Sequence, residues 1–147
     1  MTMHRRPVGR SRRLAAIGAL VALAGCFLPW WTFGGRPGEV SAISGNAFEG
    51  FGILVFAACI ATLALVTLPY ASERPVSFDR WTSYALIIGA GWLGFAYRLV
   101  ELLGSPAFRF AEPSEIVLRM PGLWLVAIGM IILARATYEM LQEPRLR

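Results

Sequence analysis

Four long apolar runs divide the sequence, and shorter, more polar segments separate them. The runs cover residues 14–32, 51–70, 81–103 and 120–138. Each is close to the length of about 20 residues that an α-helix needs to cross about 30 Å of hydrocarbon. The pattern predicts an all-α membrane protein in which residues 1–147 form a single integral membrane domain. The expected architecture is an up-down bundle of four transmembrane helices.

The composition agrees with burial in lipid. Hydrophobic residues make up 56% of the 147-residue chain, charged residues make up 16%, and the mean hydropathy is +0.58. Soluble domains have about 25% charged residues, and a chain this short cannot hide so much apolar surface from water in a globule. We therefore exclude a typical soluble enzyme and expect the lipid bilayer to be the main partner.

The distribution of the arginines predicts the orientation of the chain. There are 14 arginines and no lysine. Ten arginines lie on one side, in the two tails, in the loop between the second and third runs and, at Arg135, near the C-terminal end of the fourth run, whereas the other two loops hold three. Because positive charge collects on the cytoplasmic side, both termini are expected in the cytoplasm, with residues 1–13 and 139–147 as cytoplasmic tails. The net charge of +5 is thereby explained without nucleic acid as a partner.

Tryptophans mark the predicted outer interface. Trp30 and Trp31 end the first run, and Trp124 lies near the start of the fourth. Indole rings favour the headgroup region, so these three residues are expected to anchor the helices there.

A second interpretation of the first run stays open. Leu23 to Cys26 reads as a bacterial lipobox after a basic stretch, the layout of a lipoprotein signal peptide. Cleavage and lipidation at Cys26 would leave three spans. The residues that follow, from Phe27 to Trp31, are apolar rather than a polar tether, which favours an uncleaved helix.

Few residues are available for cofactor chemistry. The chain has one histidine, His4, and two distant cysteines, Cys26 and Cys59. A transmembrane haem or a histidine-built zinc site needs more imidazoles, and a thiol oxidoreductase needs a close cysteine pair. The sequence therefore predicts no metal, no cofactor and no catalytic residue.

Charged residues in the third run are the main candidates for binding. Arg98 follows Trp81 by 17 residues, or about 26 Å along a helix, which places it near the outer interface. Glu101 lies three residues further, within reach for an ion pair. The pair is either a snorkelling pair that ends the helix or part of an outer polar cluster that binds a ligand or partner. No other charge lies in residues 14–32, 51–70, 81–103 or 120–134. No residue could therefore carry a proton through the midplane, which argues against a coupled transporter.

Glu49 is the third candidate for that cluster, although its spacing suggests another role. Asn46 and Glu49 have the spacing of a capping box at the start of the second helix. The spacing therefore favours structural capping over binding.

Small residues at helical spacing predict close packing inside the bundle, with a homodimer seam as the alternative. The spacing i, i+4 and i+7 occurs twice, and shorter pairs occur in the third run. These residues are Gly18, Ala22 and Gly25, then Ala57, Ala61 and Ala64, then Ala85 with Gly89 and Ala90 with Gly94.

Both outer loops contain short β-prone stretches. Residues 39–43 read EVSAI and residues 115–119 read EIVLR. We expect them to pair as a small two-stranded β cap over the helices.

Four short motifs resemble those of a group of small four-span bacterial membrane proteins of the actinobacterial type, to which no activity is assigned. The motifs are Leu28-Pro29-Trp30, Ser44-Gly45, Glu49-Gly50 and Gly122-Leu123-Trp124-Leu125. The usual acidic residue of the third motif is aspartate, and here it is Glu49. The resemblance implies four spans in the bacterial cytoplasmic membrane and an outer-loop cap, and it implies no activity, cofactor or catalytic residue.

The predicted function is that of a non-catalytic accessory or scaffold subunit of a membrane assembly, with its outer loops as the recognition surface. The alternative is a small-molecule or lipid carrier, or a channel component, that uses Arg98, Glu101 and Glu49. A membrane protein complex or a second copy of the chain is the expected protein partner.

Overall fold

The computed structural model describes residues 9–71, 81–106 and 113–142, and these residues are mostly helical. Five helices and two short strands occur in them. The helices are α1 (Arg10–Phe27), α2 (Ile53–Ala71), α3 (Trp81–Leu103), α4 (Pro113–Arg119) and α5 (Pro121–Gln142), and the strands are β1 (Trp31–Phe33) and β2 (Ile43–Gly45). A 3₁₀ turn, Gly50–Gly52, leads into α2.

Three described helices are long and apolar enough to cross a membrane. These segments are Gly50–Pro69, Trp81–Leu103 and Pro121–Gln142, and they match the second, third and fourth predicted spans. The remaining long helix, α1, has 18 residues and carries three arginines in its first turn. By length and composition the described residues therefore contain three candidate spans, and α1 is not among them.

The first predicted span ends too late. We expected it to reach Thr32, but α1 ends at Phe27, and Leu28 is already extended with φ −86° and ψ 159°. The cause is Pro29, because the ring of a proline disfavours the helical conformation of the residue before it. The chain then enters β1 instead of continuing as a helix.

The four long helices alternate in direction. The end of α1, the start of α2, the end of α3 and the start of α5 all lie at one end of the bundle, because the Ala47 N–H donates to Cys26 O and the Gly122 N–H donates to Pro29 O. Trp30 links the same region to α3 through an edge contact with Phe95, with ring centroids 5.9 Å apart. We call this the hairpin end, since β1 and β2 lie there.

Helices α1 and α5 make the closest contact of the bundle, as the small-residue prediction for the first run requires. Gly18, Ala22 and Gly25 are all buried. A Cβ added at Gly25 would lie 2.8 Å from the backbone nitrogen of Val126, and one added at Gly129 would lie 2.5 Å from that of Ala22. Packing of the α1 residues inside the bundle is therefore confirmed.

The prediction that small residues at helical spacing pack inside the bundle is wrong for α2 and only partly right for α3. Ala57 and Ala64 are exposed, and the neighbouring Ala58 and Cys59 are buried instead. In α3 a Cβ at Gly89 would meet nothing within 4 Å. Spacing alone cannot show which face of an all-apolar helix turns inward, because the polar residues that mark the outer face of a soluble helix are missing.

A two-stranded sheet is present, but the predicted pairing of its strands is wrong. β1 and β2 are antiparallel, with Trp31 opposite Gly45 and Phe33 opposite Ile43. Both strands come from the first outer loop, whereas residues 115–119 belong to helix α4. The tip of the hairpin contains the turn Arg36-Pro37-Gly38-Glu39, closed by a 3.0 Å hydrogen bond from the Glu39 N–H to Arg36 O. Gly38 has φ +87°, the value that the third residue of a type II turn requires, so local turn chemistry selects the hairpin.

Candidate functional site

Four side chains from three parts of the chain form a polar cluster at the hairpin end. Arg98 Nη1 donates to Glu101 Oε2 at 2.7 Å, and Arg98 Nη2 lies 3.4 Å from Glu49 Oε2. The same carboxylate oxygen of Glu49 accepts a 3.0 Å hydrogen bond from Trp31 Nε1. The three sequence-predicted binding residues are therefore together, and we call them, with Trp31, the polar cluster.

The position of Glu49 depends on the turn before α2. Asn46 Oδ1 accepts a 3.1 Å hydrogen bond from the Phe48 N–H, which is an Asx turn. Glu49 makes no side-chain cap, and its carboxylate points to Trp31 and Arg98. The predicted capping box is therefore wrong, because the charge of Arg98 and the indole N–H of Trp31 hold the carboxylate away from the helix start.

Gly45 leaves room for the contact between Trp31 and Glu49. A Cβ at this position would overlap both Glu49 Oε2 and Trp31 Nε1. Since Gly45 lies directly opposite Trp31 in the sheet, the indole can cross the neighbouring strand and reach the carboxylate. Sequence reasoning missed Trp31 as a member of the cluster, and the pairing of a glycine with an aromatic across a hairpin is the signal that could have found it.

Burial is unequal within the polar cluster. The Arg98 side chain is 12% exposed, whereas those of Glu49 and Glu101 are 49% and 47% exposed. Arg98 Nε is buried and has no hydrogen-bond partner within the described part of the chain. The positive charge therefore lies inside and is neutralised by its two partners, while the carboxylates form the accessible surface of the cluster.

A cavity of about 450 Å³ lies beside the polar cluster. Its apolar wall comes from the hairpin and from the last turn of α3. The lining residues are Trp31, Phe33, Ile43, Arg98, Glu101, Leu102, Ser105 and Pro106. An apolar cavity of this size with a few polar groups has the usual character of a small-molecule site.

A second set of contacts ties helix α4 to the hairpin. Arg36 forms an ion pair with Glu115 across 79 residues of sequence. Arg119 Nη1 donates to Gly34 O at 3.0 Å, and Thr32 Oγ1 donates to Arg119 O at 3.0 Å. The hairpin and α4 therefore form one braced unit, which we call the cap.

The three predicted tryptophan anchors have different surroundings. Trp30 is fully buried, and its Nε1 donates to Gly25 O at 3.1 Å. Its ring cannot contact lipid, so the anchor role predicted for it is wrong. Trp31 is half-buried in the polar cluster, whereas Trp124 is 45% exposed and keeps the surface position that an anchor needs.

The two cysteines belong to the same hydrophobic core although 33 positions separate them in the sequence. Both are free and fully buried. Among the described residues, no group of three or more histidine, cysteine or acidic side chains is placed to hold a metal ion.

The motifs that carry the resemblance to four-span proteins converge at the hairpin end. The Trp30 N–H donates to Gly45 O at 2.8 Å, and the Gly122 N–H donates to Pro29 O at 2.9 Å. Three of the four motifs are thus joined by backbone hydrogen bonds, and the fourth supplies Glu49. Comparisons with protein-family models, with curated proteins and with solved structures gave no match.

Proposed function

We propose that the protein is a non-catalytic accessory or scaffold subunit of a membrane assembly, embedded in the bacterial cytoplasmic membrane with four spans. The contact between α1 and α5 supports α1 as a span in addition to the three candidate spans. Gly18 packs against Gly129 and Leu133, and Gly25 packs against Gly122 and Val126. Because α1 runs beside a candidate span over this length, we expect it to lie at the same membrane depth as α5.

The observation that carries the proposed role is a braced cap with exposed apolar side chains. Ile43 is 58% exposed and Leu118 is 79% exposed, although the contacts of Arg36 and Arg119 hold the cap in place. Exposed apolar residues on an ordered surface, rimmed by charge, mark interaction sites. The cap therefore has the properties of a recognition surface for a membrane partner.

The orientation can be tested with two reporters. A fluorescent protein that matures only in the cytoplasm is fused after Arg147, and a phosphatase that is active only in the periplasm is inserted between Pro37 and Gly38. The proposal expects both reporters to be active. A phosphatase that is active when fused after Arg147 would refute the four-span topology.

Partner recognition is tested by adding a charge to the exposed face of α4. Leu118→Glu is compared with Leu141→Glu, since Leu141 is 51% exposed near the end of α5 that is remote from the cap. The proposal expects proteins that co-purify in mild detergent to be lost with Leu118→Glu and retained with Leu141→Glu. Equal amounts of co-purified protein for the two variants in quantitative mass spectrometry would contradict the role of the cap. If only further copies of this chain are recovered, the partner is a second copy and the assembly is a homo-oligomer.

The cavity beside Arg98 and Glu101 favours a second function, that of a small-molecule or lipid carrier or a channel component. Arg98→Ala and Glu101→Ala separate the two functions. If both variants keep normal abundance and partner association but lose ligand binding or uptake, the scaffold function is refuted. If they lower only the abundance of the protein, the ion pair is structural and the second function is refuted.

A further inference from the structure

The charge of the hairpin end indicates which ligand the cavity accepts. The described residues of this end carry four glutamates, at positions 39, 49, 101 and 115, and three arginines, at positions 36, 98 and 119. Arg36 and Arg119 belong to the cap, where they contact Glu115 and Gly34 O. The excess negative charge lies in the polar cluster, where Glu49 and Glu101 share the single charge of Arg98.

The accessible part of that cluster is acidic rather than basic. Glu101 lines the cavity and is 47% exposed, whereas Arg98 is 12% exposed and already directs both terminal nitrogens to carboxylates. An anionic group entering the cavity would meet Glu101 first and would have to displace a carboxylate to reach Arg98. A cationic group would pair with Glu101 and leave both existing contacts intact.

Two aromatic side chains line the cavity together with Glu101. Trp31 and Phe33 lie on the same face of β1, since alternate residues of a strand point the same way, and both line the cavity together with Ile43 and Leu102. The face of an aromatic ring attracts an organic ammonium group. Two rings and a half-exposed carboxylate are therefore combined with an apolar wall that an alkyl chain can contact.

We propose that this cavity binds the ammonium group of an amphiphile, with the ammonium against Glu101 and the rings and with the first part of its alkyl chain against Ile43 and Leu102. The inference rests on the ligand-binding function proposed above. A volume of about 450 Å³ has room for on the order of fifteen groups the size of a water molecule, at about 30 Å³ each. It holds a headgroup and a short chain rather than a whole two-chain lipid. An aminophospholipid of the bilayer and a free alkylamine present the same chemistry.

The test measures binding of hexyltrimethylammonium to the full chain in uncharged detergent micelles by calorimetry, with hexan-1-ol as the chain-matched neutral probe. Glu101→Gln keeps the size of the side chain and should weaken ammonium binding about fivefold, the effect of losing one half-exposed ion pair. Phe33→Leu keeps an apolar wall and should weaken it about threefold through the lost ring. Glu139→Gln is the matched control, because Glu139 pairs with Arg135 four residues away on α5, and it should leave binding unchanged.

The source of the ammonium group is distinguished in nanodiscs. If phosphatidylethanolamine discs abolish hexyltrimethylammonium binding and phosphatidylglycerol discs do not, the site takes a lipid headgroup. If neither competes, it takes a free amine. Both results support the proposal when Glu101→Gln reduces the binding.

Two outcomes overturn the inference in different ways. Equal affinity for hexan-1-ol and hexyltrimethylammonium would refute ammonium recognition and leave the ligand-binding function in place. Failure of both probes to bind wild-type protein would refute the inference and that function together. If Glu101→Gln proves unstable in detergent, Phe33→Leu and the two wild-type titrations decide the question.

Discussion

The contact between α1 and α5 allows a sharp stability test with a matched pair of substitutions. Gly129→Ala and Gly89→Ala each add one methyl group to the middle of an apolar helix. At Gly129 the new Cβ would lie 2.5 Å from the nitrogen and 2.7 Å from the Cβ of Ala22, whereas at Gly89 nothing lies within 4 Å. The two variants therefore differ in packing and share their effect on helix propensity.

The expected magnitude follows from the separation that the new atom requires. Non-bonded carbon atoms prefer about 3.5 Å or more, so α1 and α5 must separate by about 1 Å near Ala22. A gap of this size removes about a quarter to a half of each contact energy along the seam, and overpacking of a close-packed interior costs about 1–3 kcal/mol. Alanine regains about 1 kcal/mol of helix propensity, which leaves a net loss of up to about 2 kcal/mol in the free energy of unfolding.

Thermal unfolding in detergent, followed by the fluorescence of the five tryptophans, measures the difference. We expect Gly129→Ala to lower Tm by up to about 8 °C, taking about 2–4 °C per kcal/mol for a chain of this size. Gly89→Ala should leave Tm unchanged or raise it by about 1–3 °C, because it gains propensity without a clash. Equal changes in Tm for the two variants would refute the close contact of α1 with α5.

Three further predictions concern the hairpin end. Arg98→Met should lower the unfolding free energy by about 1 kcal/mol in the same assay, because it leaves two half-exposed carboxylates unpaired; an unchanged Tm would show that the ion pairs contribute nothing. Arg36→Ala should speed amide hydrogen exchange in α4 several-fold, since the ion pair with Glu115 is lost, and unchanged exchange would contradict the bracing of the cap. Cys26→Ala should change the intact mass of the protein isolated from bacterial membranes only by the difference between the two side chains, because the sequence favours an uncleaved first helix. A mass shift of the size of a cleaved peptide and an acyl glycerol would instead establish lipidation.

One difference between sequence and structure is the pairing of the strands in the first outer loop. The predicted cap paired residues 39–43 with residues 115–119 on β propensity alone. The hairpin pairs Trp31–Phe33 with Ile43–Gly45 instead, because a turn at Pro37 and Gly38 brings these strands together locally. Propensity is a weak guide for strands of three residues, since the partner strand and the turn decide their pairing.

The candidate site was predictable in part. Arg98 and Glu101 are three residues apart on one helix, so their ion pair follows from helical geometry, and the pair is confirmed. Glu49 lies 49 positions from Arg98, and its spacing favoured a helix cap. Its contact with Arg98, the hydrogen bond from Trp31 and the cavity all depend on how the hairpin packs against the C-terminal end of α3.

The sequence by itself determined the apolar helices, three of them long and apolar enough to span a membrane. It could do so because hydrophobic run length and residue type act through the solvent and need no knowledge of contacts. Only the tertiary structure decided which small residues face inward, that Trp30 is buried, that α4 is a helix tied to the hairpin, and that an acidic, aromatic-lined cavity opens beside Arg98. These features depend on pairs of residues far apart in sequence, and their distances are set by helix packing and by a turn that the pattern of apolar residues does not encode.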